Sequence, residues 1–137
     1  MRILIAEDDF ACRKFLYKFL STYGDCDITI DGIEAIDAYM MALEEERPYD
    51  LVCLDIMMPK MDGKKVLKAI RDIERQREIE ESCRVKIIMT TALNDTSNVF
   101  DSFETGCEAY AAKPIDTDKF VQAMEKLGLI NMRDKGK

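Results

Sequence analysis

The sequence predicts an α/β protein with a doubly wound, parallel five-stranded sheet. Three observations carry that expectation. Short apolar runs of strand length alternate with longer stretches of helical periodicity along the whole chain. The central run, Leu51-Val52-Cys53-Leu54, is apolar throughout, as a strand covered on both faces must be. The loops joining the elements are short, which favours right-handed crossovers with helices on both faces of the sheet.

In chain order, Arg2 to Ala6 reads as a buried strand that ends on Glu7-Asp8-Asp9. Phe10 to Tyr23 follows with Phe15, Leu16, Phe19 and Leu20 at helical spacing, Asp8 or Asp9 as cap and Gly24 at the position of a C′ glycine. Cys26, Ile28 and Ile30 alternate with Asp27 and Thr29, the pattern of a half-exposed edge strand. Asp31-Gly32 then turns the chain into a helix with Ile33, Ile36, Tyr39, Met40 and Leu43 along one face, stopping before Pro48. The central strand delivers Asp55 to its end, and a Pro59…Gly63 turn leads into a third helix through Val66, Leu67, Ile70 and Ile73.

The charged stretch from Arg71 to Glu81 reads as a solvated extension of that helix in preference to a loop. Val85 to Thr90 forms the fourth strand, and Thr91-Ala92 follows it. Thr96 or Ser97 caps a fourth helix carrying Val99, Phe100 and Phe103, closed by Gly106. Ala109 to Ala112 is a short fifth strand leading to Lys113-Pro114. A last helix, capped by Asp116 or Thr117, runs through Phe120, Val121, Met124 and Leu127 to Gly128. One domain over residues 1–128 and a polar tail over 129–137 account for the chain.

Composition narrows the function. With 27 acidic and 20 basic residues the net charge is −7, which speaks against a nucleic-acid footprint. No run of about 18 apolar residues offers a membrane span, and the apolar N-terminus is too short and too soon acidic for a signal peptide. Five scattered cysteines without a C-x-x-C pair fit reduced thiols in a cytoplasmic setting. With no histidine anywhere, chemistry must run on carboxylates, Lys, Thr or a metal.

In a parallel sheet all strand C-termini open on one edge, where ligands bind. There the pattern places Asp8 and Asp9, Asp55, Thr91 and Lys113. Carboxylates about 4 Å apart repel by roughly 4 kcal/mol at an effective dielectric near 20, so such a group calls for cations. Oxygen-only donors select a hard ion, Mg²⁺ or Mn²⁺. A carboxylate beside such a cation and a lysine can act as a nucleophile toward phosphorus.

These residues also carry a resemblance. Glu7-Asp8-Asp9, Leu54-Asp55-x-x-Met58-Pro59-x-Met61-Asp62-Gly63, Thr91-Ala92, Tyr110 and Lys113-Pro114 together resemble the receiver domain of two-component response regulators, the CheY-like family, over Arg2 to about Leu127. The resemblance implies a flavodoxin-like sheet of order 2-1-3-4-5 with five helices. It implies Asp55 as phospho-acceptor, with Asp9, Asp55 and the Met57 carbonyl as direct Mg²⁺ ligands and Asp8 acting through water. By it, Thr91 and Lys113 bind the phosphoryl oxygens, and Thr91 and Tyr110 form a switch that alters the face of the fourth helix, fifth strand and fifth helix. The implied donor is a histidine kinase or histidine phosphotransfer protein, and the implied output is contact with a downstream protein. The expected function is therefore a single-domain signalling switch without an outside substrate, binding neither nucleic acid nor membrane.

Two departures from the family stand out: Met57 and Leu93-Asn94 at positions that in the family tune access of water to the acyl phosphate, with Met57 and Leu93 apolar, and a long Arg71 to Arg84 crossover. Two other readings stay open on the sequence. One is a Mg²⁺-dependent aspartyl phosphatase, which would normally carry an acid where Met57 stands. The other is a degenerate receiver acting as a constitutive interaction module.

Overall fold

The computed structural model describes residues 1–92 and 106–131. Five strands, β1 (Arg2–Ala6), β2 (Asp25–Thr29), β3 (Leu51–Asp55), β4 (Lys86–Ala92) and β5 (Ala109–Lys113), form one parallel sheet of order β2-β1-β3-β4-β5. The helices are α1 (Phe10–Leu20), α2 (Gly32–Glu44), α3 (Gly63–Gln76) and α4 (Thr117–Lys126), with a 3-10 turn at Glu81–Cys83. The helix expected around Val99, Phe100 and Phe103, with Thr96 or Ser97 as cap, falls outside the described residues, as do Leu93 and Asn94.

Alternation along the strands divides the core into two layers. Ile3, Ile5, Leu51, Cys53 and Ile88 face Leu16 and Leu20 of α1 and Phe120, Val121 and Met124 of α4. Leu4, Val52, Leu54, Ile87 and Met89 face Ala35 and Tyr39 of α2 and Val66, Leu67 and Ile70 of α3. The strand order reverses between β1 and β3, so the C-terminal ends of these strands border the crevice where such sheets bind ligands.

Several local expectations change. Helix α1 stops at Leu20 with Ser21 as a right-handed cap, and Gly24 has no left-handed φ. Gly24 is needed for close approach instead, since a Cβ there would stand 2.3 Å from the Met1 carbonyl oxygen. Along β2 it is Thr29 that turns inward, its hydroxyl donating to the Ile5 carbonyl, while Ile28 and Ile30 are exposed. Helix α2 approaches the sheet through Ala35, Tyr39 and Ala42, leaving Ile33 exposed, because small side chains permit the closest contact with the strands.

The solvated reading of the Arg71 to Glu81 run also needs correction. Helix α3 does continue to Gln76, but Arg71 and Glu74 are 9% and 0% exposed. Arg71 binds Glu74 at 2.7 Å and Glu108 at 2.8 Å, and donates to the Val85 and Gly106 carbonyls. Glu74 in turn accepts from the Tyr39 hydroxyl and the Val85 N–H. This knot joins α2, α3 and the entries to β4 and β5. At the C-terminus Gly128 does adopt the left-handed φ of a C′ residue. The chain beyond it is not polar throughout, since Leu129 and Ile130 pack against the α1/α4 layer.

Candidate functional site: an acidic pocket closed by a lysine

Three strands deliver the site. The sheet-face alternation of Ile3 and Ile5 continues past the end of β1 to Glu7, which is fully buried. Asp55 ends β3 and is also buried, and Lys113 ends β5 half-buried. The Lys113 ammonium Nζ lies 3.2 Å from Asp55 Oδ2 and 2.7 Å from Glu7 Oε1. Carboxylate oxygens of Glu7, Asp8 and Asp55 fall within 4.8 Å of one another.

The backbone around the site is fixed by specific contacts. Arg13 reaches back from α1 to the Glu7 and Asp8 carbonyls, both at 3.2 Å. The Met57 N–H donates to Asp55 Oδ1 at 3.3 Å, whereas the Met57 side chain is 66% exposed. Asp62 caps α3, and Gly63 packs so tightly on the strand end that a Cβ would meet the Asp55 carbonyl oxygen at 2.3 Å. The Lys113–Pro114 peptide bond is cis.

The geometry redistributes the expected acids. Asp9, expected as a direct metal ligand, uses its Oδ2 to cap α1 at the Cys12 N–H (2.8 Å), and its own N–H donates to Glu7 Oε2. Asp8, expected to act through water, stands in the carboxylate cluster together with Glu7, which sequence reasoning left out of the site. The signal for Glu7 was strand parity: it lies an even step from Ile3 and Ile5, on the same face of the sheet. Thr91 is buried in β4 and its hydroxyl reaches the Ala92 carbonyl at 3.4 Å. Tyr110 is half-buried in β5 and packs against the α2/α3 layer.

The electrostatics reveal a shortage of positive charge. Burial, and next the adjoining Glu7 carboxylate, push the Asp55 pKa up to about 7 against the opposing pull of Lys113. Burial also raises Glu7, but hydrogen bonds from Asp55, Lys113, Cys12 and the Asp9 N–H outweigh it and hold its pKa below the usual value. Lys113 loses some proton affinity to burial, yet its two carboxylate neighbours more than restore it and keep it charged. The Cys12 thiol, half-buried and donating to Glu7, is raised to about 12 and is therefore not a thiolate at neutral pH. Without a further cation the pocket holds the Asp55 proton until the pH reaches about 7.

A family-wide profile of the response regulator receiver domain matches residues 3–125. The chain belongs to that family. It is 31% identical to the chemotaxis protein CheY of Bacillus subtilis over 128 residues, which cover 91% of this chain and 95% of CheY. Among solved structures it resembles the CheX–CheY–BeF₃–Mg complex from Borrelia burgdorferi, at TM-score 0.78 and 28% identity over 93% of this chain and 89% of the other. It also resembles the receiver domain of the sensor histidine kinase PA1611 from Pseudomonas aeruginosa, at TM-score 0.74 and 25% identity over 91% of this chain and 94% of that one, a structure with magnesium coordinated in its active-site cleft. Other relatives are longer regulators, and the chain spans about half the length of several, 55% for the Bacillus subtilis transcriptional regulator YhcZ. Receiver domains are the signalling switches of two-component systems, and the order of the sheet is that of the flavodoxin-like class. No helix among the described residues is long and apolar enough to cross a membrane.

Proposed function

We propose that this receiver accepts a phosphoryl group on Asp55 from a partner phosphohistidine protein, with Mg²⁺ or Mn²⁺ as cofactor. The observation that carries this reading is the Lys113 ammonium bridging Asp55 and Glu7 in an acid pocket still short of positive charge. The pocket fits a hard divalent ion, since its donors are clustered carboxylate oxygens and burial beside Glu7 raises the pKa of its central acid for want of a counter-charge. Glu7, Asp8 and Asp55 would hold that ion, with the Met57 carbonyl as the further ligand that the family resemblance implies. When bound, the metal supplies neutralisation of charge on the phosphoryl oxygens.

In the transfer an Asp55 carboxylate oxygen attacks phosphorus, the O–P bond forms and the donor P–N bond breaks. The electron pair stays on the imidazole nitrogen. Lys113 supports the charge that builds on the equatorial oxygens, and Thr91 at the end of β4 supplies a hydroxyl to the same group. The phosphorylated site then biases Thr91 and, through it, Tyr110 and the surface around β5, where a downstream protein binds. The apolar groove lined by Ala11, Cys12, Phe15, Lys113, Pro114 and Ile115 has the site lysine in its wall. It suits the phosphodonor protein, which must bring its histidine to Asp55.

The chain turns over no outside substrate in this reading, and it acts on the cytoplasmic side of signalling. Incubation with candidate histidine kinases and Mg²⁺ tests it: wild type gains one acid-stable, base-labile phosphoryl group and Asp55→Ala gains none. Equal labelling of the two proteins, or catalytic phosphate release from small monoesters, would overturn the reading.

A further inference from the structure

The long Arg71 to Arg84 crossover plays no part in the proposed phosphoryl chemistry, yet it builds a second cavity. This hollow of about 350 Å³ opens at the rim of the sheet opposite Asp55, since Lys86 in its wall pairs with Leu51 at the start of β3. Arg75 comes from the last turn of α3, Glu81 from the 3-10 turn, and Arg84 and Lys86 from the entry to β4, with Arg71 and Glu108 also in the wall.

The four cations differ in how far their charge is already met. Arg71 is matched by Glu74 and Glu108, and Arg75 by Asp72. Arg84 and Lys86 are half-buried, and among the described residues neither has a carboxylate partner. Arg84 donates its Nε–H to the Ile79 carbonyl at 3.3 Å, which pins the guanidinium and leaves its two terminal amino groups without a protein acceptor. Glu81, the other acid of the wall, is exposed and pairs with neither. Half-buried cations lose part of their hydration, and a chain of net charge −7 has acids to spare for pairing them. Two are nonetheless left facing one hollow.

A pinned guanidinium presents parallel N–H groups that match two oxygens of a phosphate, and an ammonium adds a compact charge beside it. The volume lies at the small end for ligand pockets. The wall consists of charged side chains and Gly106, so it offers no apolar seat for a protein side chain and suits a small, highly charged ligand. We propose that this cavity binds a phosphate-bearing small molecule, held by Arg84 and Lys86, at a site separate from Asp55.

The test titrates the full chain with inorganic pyrophosphate and with AMP by calorimetry, in metal-free buffer at about 0.15 M salt to screen exposed charges. Wild type binds at least one of the two with Kd below about 1 mM. Preference for AMP assigns the site to phosphate monoesters, and preference for pyrophosphate assigns it to diphosphates. Arg84→Gln/Lys86→Gln weakens binding at least about tenfold, the loss of charge-assisted hydrogen bonds. Its melting temperature without ligand does not fall, because the charges removed have no partner in the protein. Glu81→Gln takes a negative charge from the rim and tightens binding about threefold. Failure of both compounds to bind, equal binding by the double variant, a double variant that melts lower than wild type, or no tightening by Glu81→Gln overturns the site.

Discussion

The acid that matters most is the one whose proton the fold makes hardest to remove. Burial and Glu7 raise the Asp55 pKa from its ordinary 3.8 to about 7. The fold thus prefers the neutral acid: this contribution to stability is complete below about pH 4 and is lost as pH rises through about 7. Asp55→Asn keeps the shape and removes the ionisable group. In metal-free buffer its melting temperature should exceed that of wild type, and by more at pH 8 than at pH 5; an equal gain at both would show that Asp55 is already ionised at the lower pH. The proposed metal carries the opposite demand, because an ion held by Asp55 would take the ionised carboxylate. Apparent Mg²⁺ affinity measured by titration calorimetry should rise by up to about tenfold per pH unit below 7 and level off above it. At this scale the sequence was only partly readable. Asp55 and Lys113 could be found because each stands alone at a strand end. Three successive acids at Glu7, Asp8 and Asp9 could not be sorted without knowing which one continues the inward face of β1 and which one caps α1.

Elements position the site by how closely they approach. The start of α3 is pressed against the end of β3 through Gly63, where an added methyl would collide with the Asp55 carbonyl. Gly63→Ala must push α3 and β3 apart, and should cost about 2 kcal/mol in urea unfolding as well as weakening the proposed Mg²⁺ binding. The knot of Arg71, Glu74 and Glu108 does comparable work at the far ends of the strands. Removing one member of a buried ion pair strands the other, so Arg71→Leu should cost about 3 kcal/mol. The double variant Arg71→Leu/Glu74→Leu should lose less than the sum of the singles, measured as a double-mutant cycle. Additive losses would show that the two charges do not depend on each other. The alternation of strands and helices was legible because it depends on local period. The buried charges were not: within a run of alternating charges nothing marks Arg71 and Glu74 as inward, since Tyr39, Val85 and Glu108 are remote in sequence. Helix α2 misled for a related reason, because Ile33 and Met40 advertise an apolar face while Ala35 and Ala42 make the close contact.

Across the whole molecule the two rims of the sheet are built differently. The C-terminal rim gathers the ionisable groups of the site, Glu7, Asp8, Asp55 and Lys113. The opposite rim is tied by Arg71, whose guanidinium spans α3, Val85, Gly106 and Glu108, while Glu108 itself accepts from the Ile87 N–H at 2.6 Å. Such cross-linking by side chains does for the starts of β4 and β5 what a covalent brace would do. The amides of Val85 and Ile87 should therefore be among the last to exchange with deuterated solvent, surviving until the molecule opens globally. A signalling protein bolted at one edge leaves the other for its switching, and the reporter of its intactness is found as far from the proposed phosphorylation site as the strands allow.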